Sequence, residues 1–433
     1  MNFENFIFKD YSFDKNSKLL SLNYSFDNSL NFTEEYLFDF EFDQFDPELL
    51  DKAVQNLFFI AGVSYFKVYP FAQIKIEKGQ ITQEIADFLS KTYQKGLGEF
   101  FYVNKLDPTL RINFPVNTDN LKKPEKTITG NKKLIGIGGG KDSLVTVELL
   151  RNSGLEIAVF SVNHRDKLQP LINEIGLPFY AVNRQWDKKL IELNNQGAYN
   201  GHIPISAIIA ATGSIVGVLT NSSDIIVSNE YSANEPTLNY NGTLINHQYS
   251  KSSEFEKDWQ DLLKRTMGEN INYYSALRPF SEVAISKMFA SLGFDKYEKV
   301  FSSCNQAFTH YSDKLFWDGT CPKCAFVFLA FTPFVDKQKL EELFDGKNLL
   351  QDPSLEKTYN QLLGIDQEKP LECVGEIKES RSAMQMASQI YPDLTKKYIF
   401  DLPSDYNYAE LNPHLMPEYI YDIIIKNSFD ILG

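Results

Sequence analysis

A run of glycines followed by polar side chains could bind the phosphates of a nucleotide. It comes directly after an apolar stretch at 134–137 and consists of Gly138, Gly139, Gly140, Lys141, Asp142 and Ser143. Glycine reaches positive φ without strain, so the backbone can turn sharply and approach an anion closely. A helix that begins here would add free N–H groups and the positive end of its dipole. The chemistry indicated is phosphate binding, in which Lys141 supplies a charge and Ser143 a hydroxyl donor.

Asp142 is unusual in a loop that only contacts phosphate, and it therefore predicts a Mg²⁺ ion between its carboxylate and the phosphates. Two common phosphate motifs are excluded. A Walker A loop would need Gly at 135 and Ser or Thr at 142, where the chain has Ile135 and Asp142. A dinucleotide fingerprint beginning at Gly136 would need Gly or Ala in place of Lys141. The remaining alternative is a glycine-rich turn without a ligand.

Strands alternate with helices in the middle of the chain, and the glycine run lies at one of their junctions. Apolar strands are predicted at 134–138, 157–162, 178–182 and 224–228, and helices at 144–150, 168–175 and 205–219. This alternation is typical of an α/β fold with a doubly wound parallel sheet. Ligands of such sheets bind beyond the carboxyl ends of the strands, where the glycine run begins.

The pattern changes twice along the chain, which predicts three domains. The first part shows strands at 6–8, 19–24 and 36–42 and helical spacing at 47–61 and 81–93. A polar, proline-containing joint follows at 118–126. From about residue 337 the chain is mostly helical and polar. We predict an N-terminal α+β domain at 1–126, a nucleotide-binding domain at 127–340 and a helical C-terminal cap at 341–433.

The composition excludes several classes of protein. The net charge of −14 over 433 residues argues against a broad surface for nucleic acid or anionic membranes. The start of the chain lacks a basic segment followed by an apolar core, so it does not resemble a secretory signal. The long uncharged stretch at 203–223 contains Ser, Thr and Gly and predicts a buried helix. Four cysteines make no disulfide framework and favour the reducing cytoplasm.

The glycine run resembles the loop of the PP-loop ATP pyrophosphatase superfamily, usually Ser-Gly-Gly-x-Asp-Ser, with Gly138 in the place of the first Ser. The resemblance implies that the loop holds ATP, that a substrate oxygen is adenylated and that pyrophosphate leaves. It also implies that adenine and ribose lie at the end of the strand 157–162. The residues there are Ser161, Val162 and Asn163.

Further segments point to one branch of this superfamily. They lie at 60–65, 96–100, 138–143, 201–204, 228–230, 246–251, 278–282, 303–305, 321–324 and 373–376. Together they resemble the UDP-N-acetylmuramoyl-L-alanyl-L-glutamate epimerases of bacterial cell-wall synthesis. The resemblance implies a cytoplasmic isomerase that acts on a UDP-linked muramoyl dipeptide in peptidoglycan synthesis. ATP would adenylate the α-carboxylate of the terminal L-glutamate, a base would remove the Cα proton, and an acid would return a proton from the opposite face. Water would then release the D-glutamyl product with AMP.

Several other polar side chains are candidate site residues. Asn229 and Glu230 follow the strand at 224–228, where Asn229 could bind an amide or carboxylate and Glu230 could act as a base or bind Mg²⁺. A loop-bracing pair is the alternative. His202 precedes the apolar helix and could contact a phosphate of ATP in its neutral form, or serve the structure alone. His247 and Lys251 lie in a run rich in hydrogen-bond donors and are candidate site residues.

Arg278 could form a two-pronged contact with a phosphate or the γ-carboxylate of glutamate. Glu282, in contrast, is expected to favour the dipole of the helix that begins there. Lys141, Lys251 and Arg278 are the cations from which we expect a locally positive pocket.

Three cysteines resemble part of the zinc site of the deazaguanine-nitrile synthases in the same superfamily. They are Cys304, Cys321 and Cys324, and Asp318 stands where those enzymes have a fourth cysteine. Asp318 or His310 could complete a zinc site. The alternatives are that the thiols are small buried side chains or that Cys304 is an epimerisation acid. The segment 373–381, with its Cys, Gly, Glu and Arg residues, could close over the glutamyl end of the substrate or form a surface helix.

Two other functions remain open. One is another PP-loop adenylating enzyme, similar to a deazaguanine-nitrile synthase or to a tRNA-modifying enzyme. The acidic net charge disfavours tRNA as the substrate. The other is a nucleotide-binding regulator without catalysis. The two epimerisation groups, the residues that bind the UDP-sugar and the oligomeric state are not readable from one sequence.

Overall fold

The computed structural model describes residues 3–42, 44–308, 314–366, 369–403 and 405–433. The strands of this described part are β1 Asn5–Asp14, β2 Leu19–Phe26, β3 Leu30–Asp39, β4 Gln73–Ile76, β5 Lys132–Gly136, β6 Ile157–Val162, β7 Phe179–Gln185, β8 Ser222–Val227, β9 Leu238–Tyr240, β10 Thr243–Ile245 and β11 Asn272–Ser275. Its α-helices are α1 Pro47–Ala61, α2 Val63–Phe66, α3 Gln83–Gly96, α4 Gly98–Val103, α5 Lys141–Arg151, α6 Arg165–Ile175, α7 Lys189–Asn195, α8 Ile205–Leu219, α9 Ser253–Met267, α10 Glu282–Leu292, α11 Phe294–Tyr297, α12 Pro322–Phe331, α13 Lys337–Leu343, α14 Glu356–Leu362, α15 Ile377–Ile390, α16 Leu394–Lys397 and α17 Glu418–Leu432.

A sheet of nine strands runs through the described residues in the order β11-β8-β5-β6-β7-β3-β2-β1-β4. The strands β11, β8, β5, β6 and β7 are parallel, with helices between them in the sequence. The predicted α/β fold with a doubly wound parallel sheet is therefore confirmed. The other half is largely antiparallel, and β3 joins the two halves by pairing with β7, for example Leu37 with Asn183.

The continuity of the sheet bears on how the chain is organised. Strands from the first 126 residues extend the same sheet that carries the glycine run, and α17 near the end of the chain packs on α5 and α10. The segments before and after the middle of the chain thus support the strands and helices around that run. The division into 1–126, 127–340 and 341–433 stays a prediction.

The uncharged stretch at 203–223 contains the buried helix α8, as predicted. A Cβ at Gly213 would lie only 2.9 Å from the ring of Phe160 and 3.0 Å from Ile225, so glycine lets this helix approach the sheet closely. The apolar surroundings come from packing on the sheet and on α1. Among the described residues, no helix is long and apolar enough to cross a membrane.

The sheet differs from the sequence-based prediction at several strands, including β3, β4 and β11. The strand predicted at 36–42 ends at Asp39, because the chain turns and the Phe40 N–H donates to the carbonyl of Phe38 at 2.9 Å. The parallel strand β11 was not predicted, since its four residues include two tyrosines between polar side chains and form no apolar run.

Candidate active site

The glycine run forms the turn between β5 and α5. Gly139 has φ +94°, and a Cβ there would lie 3.1 Å from the ring of Phe308, so this position needs glycine. A Cβ at Gly138 would meet no described atom within 4 Å, so the Ser of the superfamily pattern would also fit there. Helix α5 begins directly after Gly140, which leaves its first N–H groups free to bind an anion.

A cavity of about 500 Å³ opens at the carboxyl ends of the parallel strands. The predicted site residues on its wall are Gly138, Gly140, Asp142, Ser143, Ser161, Val162, Asn163, Asn229 and Lys251. The structure therefore brings the glycine run together with the strand ends where adenine and ribose were expected. Gly139 joins the glycine run to the segment at Ser302, because its carbonyl accepts a hydrogen bond from the Ser302 N–H at 3.0 Å.

Lys141 is buried beside a group of three carboxylates. Its ammonium forms ion pairs with Asp142 and with Glu282. Burial alone would lower the pKa of Lys141, but these two carboxylates hold it above its usual value, so the side chain stays charged. Carboxylate oxygens of Asp142, Glu230 and Glu282 lie within 4.8 Å of one another. Three converging hard oxygens are a donor set that suits Mg²⁺.

Glu282 was not among the predicted site residues. Burial, together with the charges of Asp142 and Glu230, raises the pKa of Glu282 to about 7. Its backbone N–H donates at 2.9 Å to the carboxylate of Glu379, which also accepts from the Glu376 N–H at 2.6 Å. Burial and the neighbouring acids raise the pKa of Glu379 to about 8. Helix α15, which carries Glu379, thus positions the start of α10 at the carboxylate group.

Arg278 is fully enclosed by protein, where the sequence predicted a contact with a ligand. Its guanidinium donates to the Glu256 carboxylate at 2.9 Å and to the carbonyl oxygens of Glu230 and Lys251 at 2.6 and 2.5 Å. These contacts use the groups that would otherwise bind an anion. Arg278 therefore positions the backbone of two site residues.

Lys251 connects the cavity to a second polar cluster. Its ammonium donates to the sulfur of Cys373 at 3.2 Å, and Nε2 of His247 lies 3.8 Å from the same sulfur. The rings of His202 and His247 are 6.1 Å apart, and Nδ1 of His202 lies 3.4 Å from Glu99. Burial lowers the pKa of each histidine to about 4, so both are neutral at pH 7. His202 lies in this cluster, and its contact with ATP stays a prediction.

The sulfur cluster consists of Cys304, Cys321 and Cys324 with Asp318, and their ligand atoms all lie within 4.8 Å of one another. Sulfurs of Cys304 and Cys321 are 3.9 Å apart, and the Cys324 thiol donates to Asp318 at 3.1 Å. Three thiols and one carboxylate match the ligand types and number of a tetrahedral zinc site. His310, the other predicted ligand, lies outside the described residues.

Comparison with known proteins gives consistent matches over most of the chain. Residues 1–276 match the family model of the MurL N-terminal domain, and residues 300–404 match that of the MurL C-terminal domain. A UDP-N-acetyl-alpha-D-muramoyl-L-alanyl-L-glutamate epimerase of Xanthomonas oryzae is 39% identical over 337 residues, which cover 77% of this chain and 74% of the relative. An epimerase of the same name from Salinispora tropica is 36% identical over 89% of this chain and 85% of its own length. A tRNA-cytidine(32) 2-sulfurtransferase of Pectobacterium atrosepticum is 30% identical over 27% of this chain and 37% of its own.

Proposed function

Because the chain belongs to the MurL family, we propose that it inverts the terminal L-glutamate of UDP-MurNAc-L-Ala-L-Glu in a reaction that uses ATP. The chain is an epimerase and therefore an isomerase, as the sequence predicted. The finer proposal concerns the route: an acyl adenylate at the α-carboxylate, with AMP and pyrophosphate as further products. The observation that carries it is the glycine run, which forms the wall of a cavity next to a buried Lys141.

The first proposed step is attack of the α-carboxylate on the α-phosphorus of ATP. A bond forms between a carboxylate oxygen and that phosphorus, and the bond to pyrophosphate breaks. The N–H groups at the start of α5 are free to bind the departing pyrophosphate, and the ammonium of Lys141 lies beside them. Donors held in place before the reaction stabilise charge that develops in the transition state.

Asp142, Glu230 and Glu282 are the residues that would hold Mg²⁺. A magnesium ion bound there would neutralise phosphate charge during the transfer. The ion also explains why an acidic residue stands in a phosphate loop, because Asp142 would otherwise repel the nucleotide. Lys141 partly neutralises two of the three carboxylates, those of Asp142 and Glu282.

Adenylation prepares the glutamyl Cα for inversion. An acyl adenylate no longer carries the carboxylate charge, so its Cα–H is far more acidic than that of the free acid. Removal of this proton and its return from the opposite face give the D-glutamyl adenylate, and water releases the product with AMP. The reaction consumes ATP and a UDP-linked precursor of peptidoglycan, which makes the cytoplasm its expected compartment.

We also propose that Cys304, Asp318, Cys321 and Cys324 hold a structural zinc ion. Cys304 follows Ser302, whose N–H donates to the carbonyl of Gly139. The Cys304 N–H in turn donates to the Ser302 hydroxyl at 3.0 Å. A metal that fixes Cys304 would therefore hold the segment that supports the glycine run.

The proposed function is tested by incubating the protein with ATP, Mg²⁺ and UDP-MurNAc-L-Ala-L-Glu. We expect AMP rather than ADP, and D-glutamate after acid hydrolysis of the product. Lys141→Ala and Asp142→Ala should abolish both. If glutamate stays in the L form while the wild-type protein is folded and binds ATP, the proposal fails.

A further inference from the structure

Cys373 is the cysteine that lies apart from the sulfur cluster. It belongs to the segment after residue 368 and is partly exposed. Its sulfur accepts a hydrogen bond from Lys251 at 3.2 Å and lies 3.8 Å from Nε2 of His247. On the other side of the imidazole ring, Nδ1 lies 3.1 Å from the Thr237 hydroxyl. A cation and a neutral imidazole therefore both face this thiol.

This environment suits a thiol that exchanges protons. The thiolate is the form of cysteine that can accept a proton, and the Lys251 ammonium lies within hydrogen-bond distance of the sulfur that would carry its charge. Burial would by itself lower the pKa of Lys251, but Cys373 and Glu230 hold it above its usual value, so the cation persists. His247 is neutral at pH 7 and can accept a proton from the thiol or donate one to the thiolate, depending on its tautomer.

Lys251 also connects this thiol to the place where the adenylate is proposed to form. Its side chain lies on the wall of the cavity that carries the glycine run, and it interacts electrostatically with Asp142 and Glu230. Cys373 is thus one hydrogen bond away from a residue of the adenylation site.

We propose that Cys373 exchanges the α-proton of the adenylated glutamate on one face of Cα. This role rests on the proposed function. When the thiolate removes the proton, an S–H bond forms, the Cα–H bond breaks, and its electron pair moves onto the carbonyl oxygen of the acyl adenylate. A proton from a second donor on the opposite face then forms the new Cα–H bond, and the carbonyl is restored. In the reverse direction the thiol donates and the opposite group accepts.

Cys304, the other cysteine considered for this role, has different surroundings. It is fully buried, and its sulfur lies among those of Cys321 and Cys324. This arrangement suits a metal ligand, whereas the contacts of Cys373 suit proton transfer. The sequence motif at 373–376 thereby gains a role that its pattern alone did not indicate.

The test is to measure AMP formation and inversion separately in Cys373→Ser and Cys373→Ala. The serine variant keeps an acceptor for Lys251 but is a far weaker acid and base. We expect inversion to fall about 10²- to 10⁴-fold in both variants, as for loss of a general acid–base group. AMP formation should stay within about tenfold of the wild type, because water still releases the L-glutamyl adenylate. Lys378→Ala, at an exposed position of the same segment, serves as the control and should keep both activities.

The outcomes are distinct. Inversion within about tenfold of the wild type would overturn the role of Cys373. An equal loss of inversion and AMP formation would also overturn it, because it would indicate a structural or adenylation role. If the wild-type protein itself forms no AMP with this substrate, the proposed function fails, and that result is distinguishable from both.

Discussion

Lys141→Met would remove the cation that pairs with both Asp142 and Glu282. The side chain of Lys141 is 4% exposed and that of Glu282 is 6% exposed, so the Glu282 carboxylate would stay buried without this partner. Breaking a buried ion pair in this way costs about 3–5 kcal/mol of the free energy of unfolding. The variant would also lose a charge beside the departing pyrophosphate, which should lower the rate of AMP formation about 10²- to 10³-fold.

The two effects can be separated by urea unfolding and by an AMP assay at a temperature where circular dichroism shows a folded variant. Excess Mg²⁺ should recover much of the lost stability, because a cation at the three carboxylates replaces the missing charge, but it should not restore AMP formation. Both quantities are compared with those of the wild type under the same conditions.

Lys133→Met, on the strand β5 that precedes the glycine run, is a matched control. Lys133 and Asp224 form a buried pair at 2.5 Å, and both side chains are 1% exposed. This variant should lose a similar free energy of unfolding, while its folded fraction forms AMP at the wild-type rate. The reasoning is refuted if Lys141→Met forms AMP within about tenfold of the wild-type rate, or if Lys133→Met loses AMP formation to the same extent.

Three further predictions concern the surroundings of the site. Gly139 has φ +94° and lies against Phe308, so Gly139→Ala should strain the loop by about 1–2 kcal/mol and lower the rate of AMP formation about 5- to 30-fold. An unchanged rate would contradict the geometry of the turn. The pKa of Glu379 is raised from 4.5 to about 8, so the stabilisation from its protonated form is present below pH 4.5 and is lost as the pH rises to 8. Glu379→Gln should therefore become more stable relative to the wild type as the pH rises across this range. A difference in the free energy of unfolding between the two proteins that does not change with pH would refute this prediction. Cys321→Ser should lower both the zinc content by mass spectrometry and the melting temperature, whereas a wild-type protein purified without zinc would exclude the proposed metal.

The parts of the fold that were predictable carry a local signal. Helices α1 and α8 and strand β6 were predicted with their exact bounds, because each is a long apolar or periodic run next to a clear turn. The turn formed by the glycine run was predictable for the same reason, since it is encoded in six adjacent residues. The strand β11 lacks such a run and depends on its neighbour β8.

The carboxylate group could be predicted only in part. Asp142 and Glu230 were found because they follow strand ends. Glu282, in contrast, lies at the start of helix α10 and is separated from its partner Lys141 by 141 positions in the sequence. Its position at a helix start suggested a favourable dipole interaction and hid its contact with Lys141. Arg278 shows the converse: its sequence context suggested a ligand, while its charge is used by Glu256 and two carbonyl groups.

The central claim is that the α-carboxylate is adenylated, and oxygen-18 labelling tests it most directly. The substrate UDP-MurNAc-L-Ala-L-Glu is prepared with oxygen-18 in the α-carboxylate of glutamate and incubated with the protein, ATP and Mg²⁺. We predict that one labelled oxygen appears in the phosphate of AMP, because the bond between the acyl carbon and that oxygen breaks when water releases the product. Inversion of glutamate with no label in AMP would contradict the acyl-adenylate route.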